Sequence, residues 1–147
     1  MSVLISGPPE AIRGSTVDVV RLRRCGETLL LAIGESESEL SIALVDDPEI
    51  KVLNTHWRSR PSATDVLSFS QIEGEESAGR ERLLGDVVIS VETAARQAEE
   101  SHRGLNERVI KLLIHGLLHL IGHDHEEDEE ALRMIAEERR LWHELNS

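Results

Sequence analysis

The sequence is poor in aromatic residues and in cysteine. Among its 147 residues, Trp57, Phe69 and Trp142 are the only members of the Phe, Tyr and Trp class. The core must therefore be built mainly from Leu, Ile, Val and Ala. The single cysteine, Cys25, cannot form an internal disulfide, which is typical of proteins from a reducing compartment. We interpret Cys25 as a small helix residue rather than as a nucleophile.

The sequence also lacks long apolar runs and an excess of positive charge. No stretch approaches the ~20 apolar residues that span a membrane, and the N-terminus lacks the pattern of a signal peptide. The formal net charge is −12, which argues against non-specific attraction of the whole protein to nucleic acid but allows a local basic patch. We expect one cytoplasmic domain that covers residues 1–147.

Hydrophobic periodicity predicts a mixture of strands and helices. The predicted strands are 2–6, 39–47, 66–70 and 85–90. The predicted helices are 15–33, a segment from Asp46 or Asp47 to about Trp57, 91–102 behind a Ser90 cap, a segment from an Asn106 cap to about 122, and 127–145. Gly26 lowers the helix propensity of the first of these segments. The polar stretch 72–83 is interpreted as an exposed, hairpin-like connection.

The helix that starts near Asn106 is apolar on nearly every side in its second half, which predicts that it runs through the core. The last helix is acidic and amphipathic. Together the elements predict an α+β fold, in which a small mixed β-sheet is covered by helices and the buried helix carries a cluster of histidines.

Four of the seven histidines lie in "HGLLHLIGHDH", residues 115–125. On a helix, His115 and His119 lie one turn apart on the same face. Unpaired ring nitrogens in an apolar helix would cost ~1–3 kcal/mol each, and a shared metal ion removes that cost. Three imidazoles and an open position are a catalytic arrangement of zinc, so we expect one zinc ion per chain.

Gly122 predicts where the third ligand lies. Glycine readily adopts the left-handed conformation that ends helices. A turn there lets His125 return to the metal, with the spacing of the longer zinc-protease signature. On an unbroken helix His123 would take that place, and we favour His125. The isolated His56, His102 and His143 are interpreted as ordinary surface or hydrogen-bonded side chains.

Position 116 is Gly, where zinc proteases carry the glutamate that acts as general base. Peptide hydrolysis is therefore not expected. Hydrolysis of a phosphodiester needs a cation to stabilise the developing charge, and arginine does this well. Arg58 and Arg60 lie in the loop before "TDVLSF", and composition alone does not separate a catalytic role from ordinary surface exposure.

Three blocks of the sequence resemble the YbeY endoribonucleases, a family of bacterial rRNA-maturation factors. "HGLLHLIGHDH" resembles the family's H-G-x-L-H-L-x-G-Y-D-H signature, with His123 in place of the usual Tyr. "LNTHWRSRPSATDVLSFS" (53–70) and "LGDVVIS" (84–90) are similar to its other two blocks. The resemblance covers about residues 53–125, and the first ~40 residues and the last helix match only in their pattern of elements.

The resemblance implies a zinc-dependent, single-strand-specific endoribonuclease that acts in maturation of the 3′ end of 16S ribosomal RNA and in ribosome quality control. The implied partners are ribosomal RNA and the small ribosomal subunit or its assembly proteins, with no membrane. It implies His115, His119 and His125 as zinc ligands and Arg58 as the essential arginine. We interpret Asp65 as a turn residue and Asp86 as an acceptor for a ligand's N–H.

Two other functions stay open at this point. One is a metallohydrolase of a different substrate, such as a peptide or small amide. The other is a non-catalytic, zinc-stabilised assembly factor that binds pre-ribosomes. If the protein acts on RNA, we expect basic side chains to gather around one groove beside the histidines, with the acidic last helix elsewhere.

Overall fold

A computed structural model describes residues 2–9, 16–71 and 82–146 of the chain. The strands are β1 (Ser2–Ser6), β2 (Ser38–Val45), β3 (Val66–Ser70) and β4 (Arg82–Ser90). The helices are α1 (Val19–Ala32), α2 (Asp47–Arg58), α3 (Val91–Glu100), α4 (Leu105–Leu120) and α5 (Asp128–Leu145). Most of the predicted connection at 72–83 lies outside the described residues.

The four strands form one mixed sheet in the order β1-β2-β4-β3. β1, β2 and β4 run parallel to one another, and β3 pairs antiparallel with β4 at the edge. The predicted α+β class is confirmed. Among the described helices, none is long and apolar enough to cross a bilayer.

Helices cover both faces of the sheet, but unequally. The larger apolar cluster joins alternate residues of β2 and β4 to α1, α3, α4 and α5. A smaller cluster on the other face packs Ile50 of α2 against Val88 and Leu67. Burial of each Leu or Ile side chain contributes about 1.5–3 kcal/mol, so the larger cluster supplies most of the hydrophobic stabilisation.

Helix α4 lies inside the larger cluster, as its composition predicts. Its buried residues are Val109, Ile110, Leu112, Leu113, Ile114, Gly116, Leu117, Leu118 and Leu120. A Cβ added to Gly116 would lie 2.7 Å from Cγ1 of Val87 and 3.0 Å from Oγ of Ser68. The absence of a side chain at position 116 therefore lets α4 approach the sheet closely.

Helix α1 is continuous through Gly26, whereas the predicted cap of α4 is wrong. Gly26 lies inside α1 where the helix passes close to β1, since an added Cβ would lie 3.1 Å from Cγ1 of Val3. Asn106 does not cap α4, which has Gly104 at its N-cap. The Asn106 side chain instead accepts a hydrogen bond from the Asp18 amide at 2.7 Å, and so ties α4 to the start of α1.

Candidate metal centre

His115, His119 and His125 come together at the C-terminal end of α4. One ligand nitrogen from each ring can be chosen so that all three lie within 4.8 Å of one another. The Nε2 atoms of His115 and His119 are 3.2 Å apart, and the His125 ring centroid is 5.3 Å from that of His119. This is the spacing expected of imidazoles that share one ion.

The end of α4 explains how His125 reaches the other two. The helix stops at Leu120, and Gly122 has a φ of +98°, a conformation that glycine adopts without steric cost. The His123 amide donates to the Leu118 carbonyl at 3.0 Å, which closes the last turn. The chain then doubles back, so His125 lies beside His119.

His123 points into a different part of the surface. It lines a small pocket with Asp124, Glu130 and Arg133, and it is absent from the group of imidazoles that could share an ion. Of the two histidines that compete for the third position, the structure therefore brings His125, and not His123, to the pair on α4.

His119 suits a divalent metal in its protonation as well as in its position. Burial is the largest cause that lowers the pKa of His119, followed by repulsion from His115 and His125 if these are protonated. A lowered pKa keeps the ring neutral near pH 7, which is the form that binds metal. His125 is exposed, so the cluster is open to solvent on one side.

A carboxylate from the last helix touches the cluster from behind. Oε2 of Glu138 lies 3.4 Å from Nδ1 of His115, the ring nitrogen that does not face His119. Acceptors in this position orient metal-binding imidazoles. Asp86, which was predicted for such a role, lines neither groove that contains His115. Nothing in the sequence distinguishes Glu138 from the other acids of α5.

Arg58 lies in the same groove as the histidines. The groove has a volume of about 520 Å³, and Arg58, Ser68 and all three histidines line it. Arg60 is not among the lining residues. The guanidinium carbon of Arg58 lies 5.0 Å from the centroid of the Phe69 ring, a cation–π contact that holds the charge at the groove wall.

Ser68 connects this arginine to the histidine helix. Its carbonyl accepts a hydrogen bond from an Arg58 Nη at 2.7 Å, and its hydroxyl donates to the Gly116 carbonyl at 2.8 Å. One residue of β3 therefore sets the position of Arg58 relative to α4. The sequence signal for Ser68 is only its place in the "TDVLSF" block.

Asp65 does more than form a turn. Its Oδ1 accepts from the Val66 amide at 2.8 Å, and its Oδ2 accepts from Gln97 Nε2 at 3.2 Å. Oδ2 also lies 3.5 Å from an Arg108 Nη. Asp65 and His115 line both the histidine groove and a second groove between α4 and α5. The acidic last helix therefore lies next to the histidines, contrary to the expectation that it lies away from them.

Comparisons with known proteins agree with this geometry. The family model described as "Endoribonuclease YbeY" matches residues 15–146. An "Endoribonuclease YbeY" of Anaeromyxobacter sp. (strain Fw109-5) is 46% identical over 121 residues, which cover 82% of this chain and 62% of that protein. The chain thus spans about three fifths of this relative's length.

Two further relatives match over most of both chains. The "Endoribonuclease YbeY" of Geobacter metallireducens is 41% identical over 132 residues, which cover 88% of each chain. The solution structure of TM1509 from Thermotoga maritima superposes with a TM-score of 0.65 at 25% identity, and covers 97% of this chain and 88% of that one. The fold is therefore shared with a solved structure.

Proposed function

We propose, since the chain belongs to the endoribonuclease YbeY family, that the protein is a zinc-dependent, single-strand-specific endoribonuclease. The observation that carries the proposal is the shared groove, in which three metal-spaced imidazoles and Arg58 face one solvent-filled space. A protease would need a general base beside the first histidine, and Gly116 fills that position against the sheet.

We assign the metal to His115, His119 and His125, with one ion per chain. Three imidazoles without a thiolate or carboxylate fit zinc and leave a coordination position open. A bound zinc ion would supply Lewis-acid polarisation of a phosphate oxygen and would acidify water. The Glu138 carboxylate would hold His115 in the required ring orientation from its far side.

We assign stabilisation of the phosphate to Arg58. Its guanidinium is held by the Ser68 carbonyl and the Phe69 ring, and no acidic partner for it occurs among the residues that the structure describes. It can therefore donate to a phosphate oxygen that gains negative charge during cleavage. Preorganised donors of this kind accelerate reactions by about 10²–10³-fold.

We further propose that residues 1–147 act as one domain in the cytoplasm, in maturation of the 3′ end of 16S ribosomal RNA and in ribosome quality control. Its partners would be ribosomal RNA and the small ribosomal subunit or its assembly proteins. The support for this step is family membership alone. RNA profiling of cells that lack the protein tests it, and unchanged 16S 3′ ends would count against it.

The test of the activity is cleavage of single-stranded RNA by purified protein. We expect cleavage to stop on chelation and to fall about 10²–10³-fold in Arg58→Ala, whereas Arg60→Ala stays close to wild type. A peptide panel is run in parallel. Cleavage of peptide alone would indicate another metallohydrolase, and an Arg58→Ala protein with full cellular function would indicate a non-catalytic assembly factor.

A further inference from the structure

The second groove lies between α4 and α5 and has a volume of about 510 Å³. The α4 side is formed by Arg108, Lys111, Leu112 and His115, and the α5 side by Ile135, Glu138, Arg139 and Trp142. Each set has the spacing i, i+3, i+4, i+7, which places its members in one row along a helix. The volume is within the ~300–1,000 Å³ range of ligand sites.

This groove opens directly beside the candidate metal centre. His115 contacts Glu138 at one level, and Lys111 lies over the Trp142 ring at the next, 4.9 Å from its centroid. The two levels are four residues apart, about 6 Å along α4. A chain-like ligand that occupies both grooves would therefore pass across His115.

The charge of the groove is opposite to that of the whole protein. Three cations line it, Arg108, Lys111 and Arg139, against two acids, Asp65 and Glu138, although the chain carries a formal net charge of −12. Both acids already have partners, since Asp65 pairs with Arg108 and Glu138 contacts His115. Lys111 pairs with Glu107, which does not line the groove. In the described part of the chain, Arg139 has no acidic partner and is exposed.

The apolar part of the groove is also exposed where a ligand could use it. Ile135 is 44% exposed, and Trp142 is only partly buried. A positively charged groove with an aromatic ring is how proteins hold single-stranded nucleic acid without regard to sequence: cations contact phosphates and rings stack on bases. An acidic peptide would use the cations but gain little from the indole.

We infer that the α4–α5 groove is a nucleotide-binding subsite for single-stranded RNA, next to the site of cleavage. Arg139 and Lys111 contact a phosphate, and the adjoining base packs against Trp142 and Ile135. The inference rests on the proposed function for its choice of ligand. It adds a binding site on α5, outside the three sequence blocks that resemble those of the family.

Binding is measured by fluorescence anisotropy with a fluorescein-labelled 2′-O-methyl oligouridylate, whose integrity is checked on a gel. We expect Trp142→Leu to raise Kd about tenfold, and Trp142→Phe to raise it less because a ring remains. Lys111→Ala combined with Arg139→Ala should raise Kd and reduce the slope of log Kd against log salt by about 1. Thermal melting confirms that each variant is folded.

Two matched controls lie outside the groove. Arg24→Ala removes an exposed arginine of α1, and Leu132→Ala removes an exposed apolar side chain of α5. Both should bind the probe as wild type does. Because Arg139 is exposed and Lys111 is only half-buried, their variants keep the test informative even if Trp142→Leu fails to fold.

The possible outcomes separate the subsite from the activity. If the groove variants bind and cleave like wild type while Arg58→Ala is inactive, the subsite is wrong and the proposed function stands. If no protein cleaves RNA but the groove variants still weaken binding, the subsite stands and the activity falls. Displacement of the probe by a polyglutamate peptide at equal charge concentration would show binding by charge alone and overturn the subsite.

Discussion

Asp47 and His119 are both partly buried polar residues with lowered pKa values, but their surroundings differ in kind. Burial is the largest single effect on Asp47 and would raise its pKa, but hydrogen bonds from Ser90, Thr93 and Arg96 outweigh it and lower the pKa. Burial is also the largest effect on His119, where it lowers the pKa, and the two neighbouring imidazoles lower that pKa further.

The two residues differ in whether their polar atoms already have partners: those of Asp47 do, whereas His119 has a ring nitrogen that can bind a metal. The Asp47 carboxylate accepts from Ser90 Oγ and Thr93 Oγ1, each at 2.6 Å, and from an Arg96 Nη at 2.8 Å. It joins α2, β4 and α3 and has little capacity left. At His119, a nitrogen of one ring faces a nitrogen of the next, an arrangement that a shared cation completes.

The largest effect is expected from removing an imidazole of this cluster. His125→Ala leaves two ligands on α4, and we expect zinc affinity to fall by more than about 100-fold, since even partners outside the ligand set are worth 10–100-fold. His123→Ala is the matched control, two residues away, and should bind zinc as wild type does. Isothermal titration with zinc measures both. Equal losses in the two variants would break the assignment of the third ligand.

The next largest effect concerns the close contact of α4 with the sheet at Gly116. Gly116→Ala places a Cβ 2.7 Å from Cγ1 of Val87, and overpacking of this kind costs about 1–3 kcal/mol, partly offset by the better helix propensity of alanine. We expect a net loss of up to about 2 kcal/mol in the free energy of unfolding, measured in urea.

A double-mutant cycle checks the cause of that loss. Val87→Ala removes the methyl group that a Cβ at position 116 would meet, so the double variant should lose less stability than the sum of the two single variants. Strict additivity would mean that the contact between α4 and the sheet is not what requires glycine at position 116.

The helices and the histidine cluster were predictable because their signals are local. The angular positions of His115 and His119 follow from helical geometry, and Gly122 marks the turn that returns His125. Asn106 was misassigned because its partner, Asp18, lies 88 residues away. Glu138 was missed for the same reason: it is one acid among several, and only the packing of α5 against α4 brings it to His115.

Gly116 shows what the sequence could indicate without explaining it. The missing glutamate at position 116 argued against proteolysis. The physical reason for glycine there is the short distance from α4 to β3 and β4, which is apparent only in the assembled sheet. Position 116 faces Val87, Ser68 and Val66 rather than the histidines.

The hydrogen-bonded cluster around Asp47 should affect stability rather than metal binding. Asp47→Asn keeps the shape but loses the charge that Arg96 and the two hydroxyls contact, which we expect to cost about 1–2 kcal/mol. Because folding lowers the pKa of Asp47, its contribution is complete above the unfolded pKa of about 3.9 and disappears as the pH falls through the folded value. The difference between wild type and Asp47→Asn should therefore be constant from about pH 5 to 7 and shrink below about pH 4.

Urea unfolding across this pH range measures the effect, with Glu49→Gln as the control on the same helix. Glu49 is exposed, so its substitution should change stability by less than about 0.5 kcal/mol. A loss of zinc affinity in Asp47→Asn, with the fold intact, would erase the distinction between the two clusters.

The smallest effect tests whether the Glu138 carboxylate contributes to metal binding by the imidazole cluster. Its carboxylate lies 3.4 Å from Nδ1 of His115, a long contact, so Glu138→Gln should weaken zinc binding only about tenfold, at the low end for such partners. The side-chain amide can still present an oxygen to the ring, whereas Glu138→Ala cannot, so the alanine variant should lose more. Zinc titration ranks the three proteins, and stability in the absence of metal should be nearly equal among them. If both variants bind zinc like wild type, Glu138 serves only the groove between α4 and α5, and the imidazole cluster orients itself without help from the last helix.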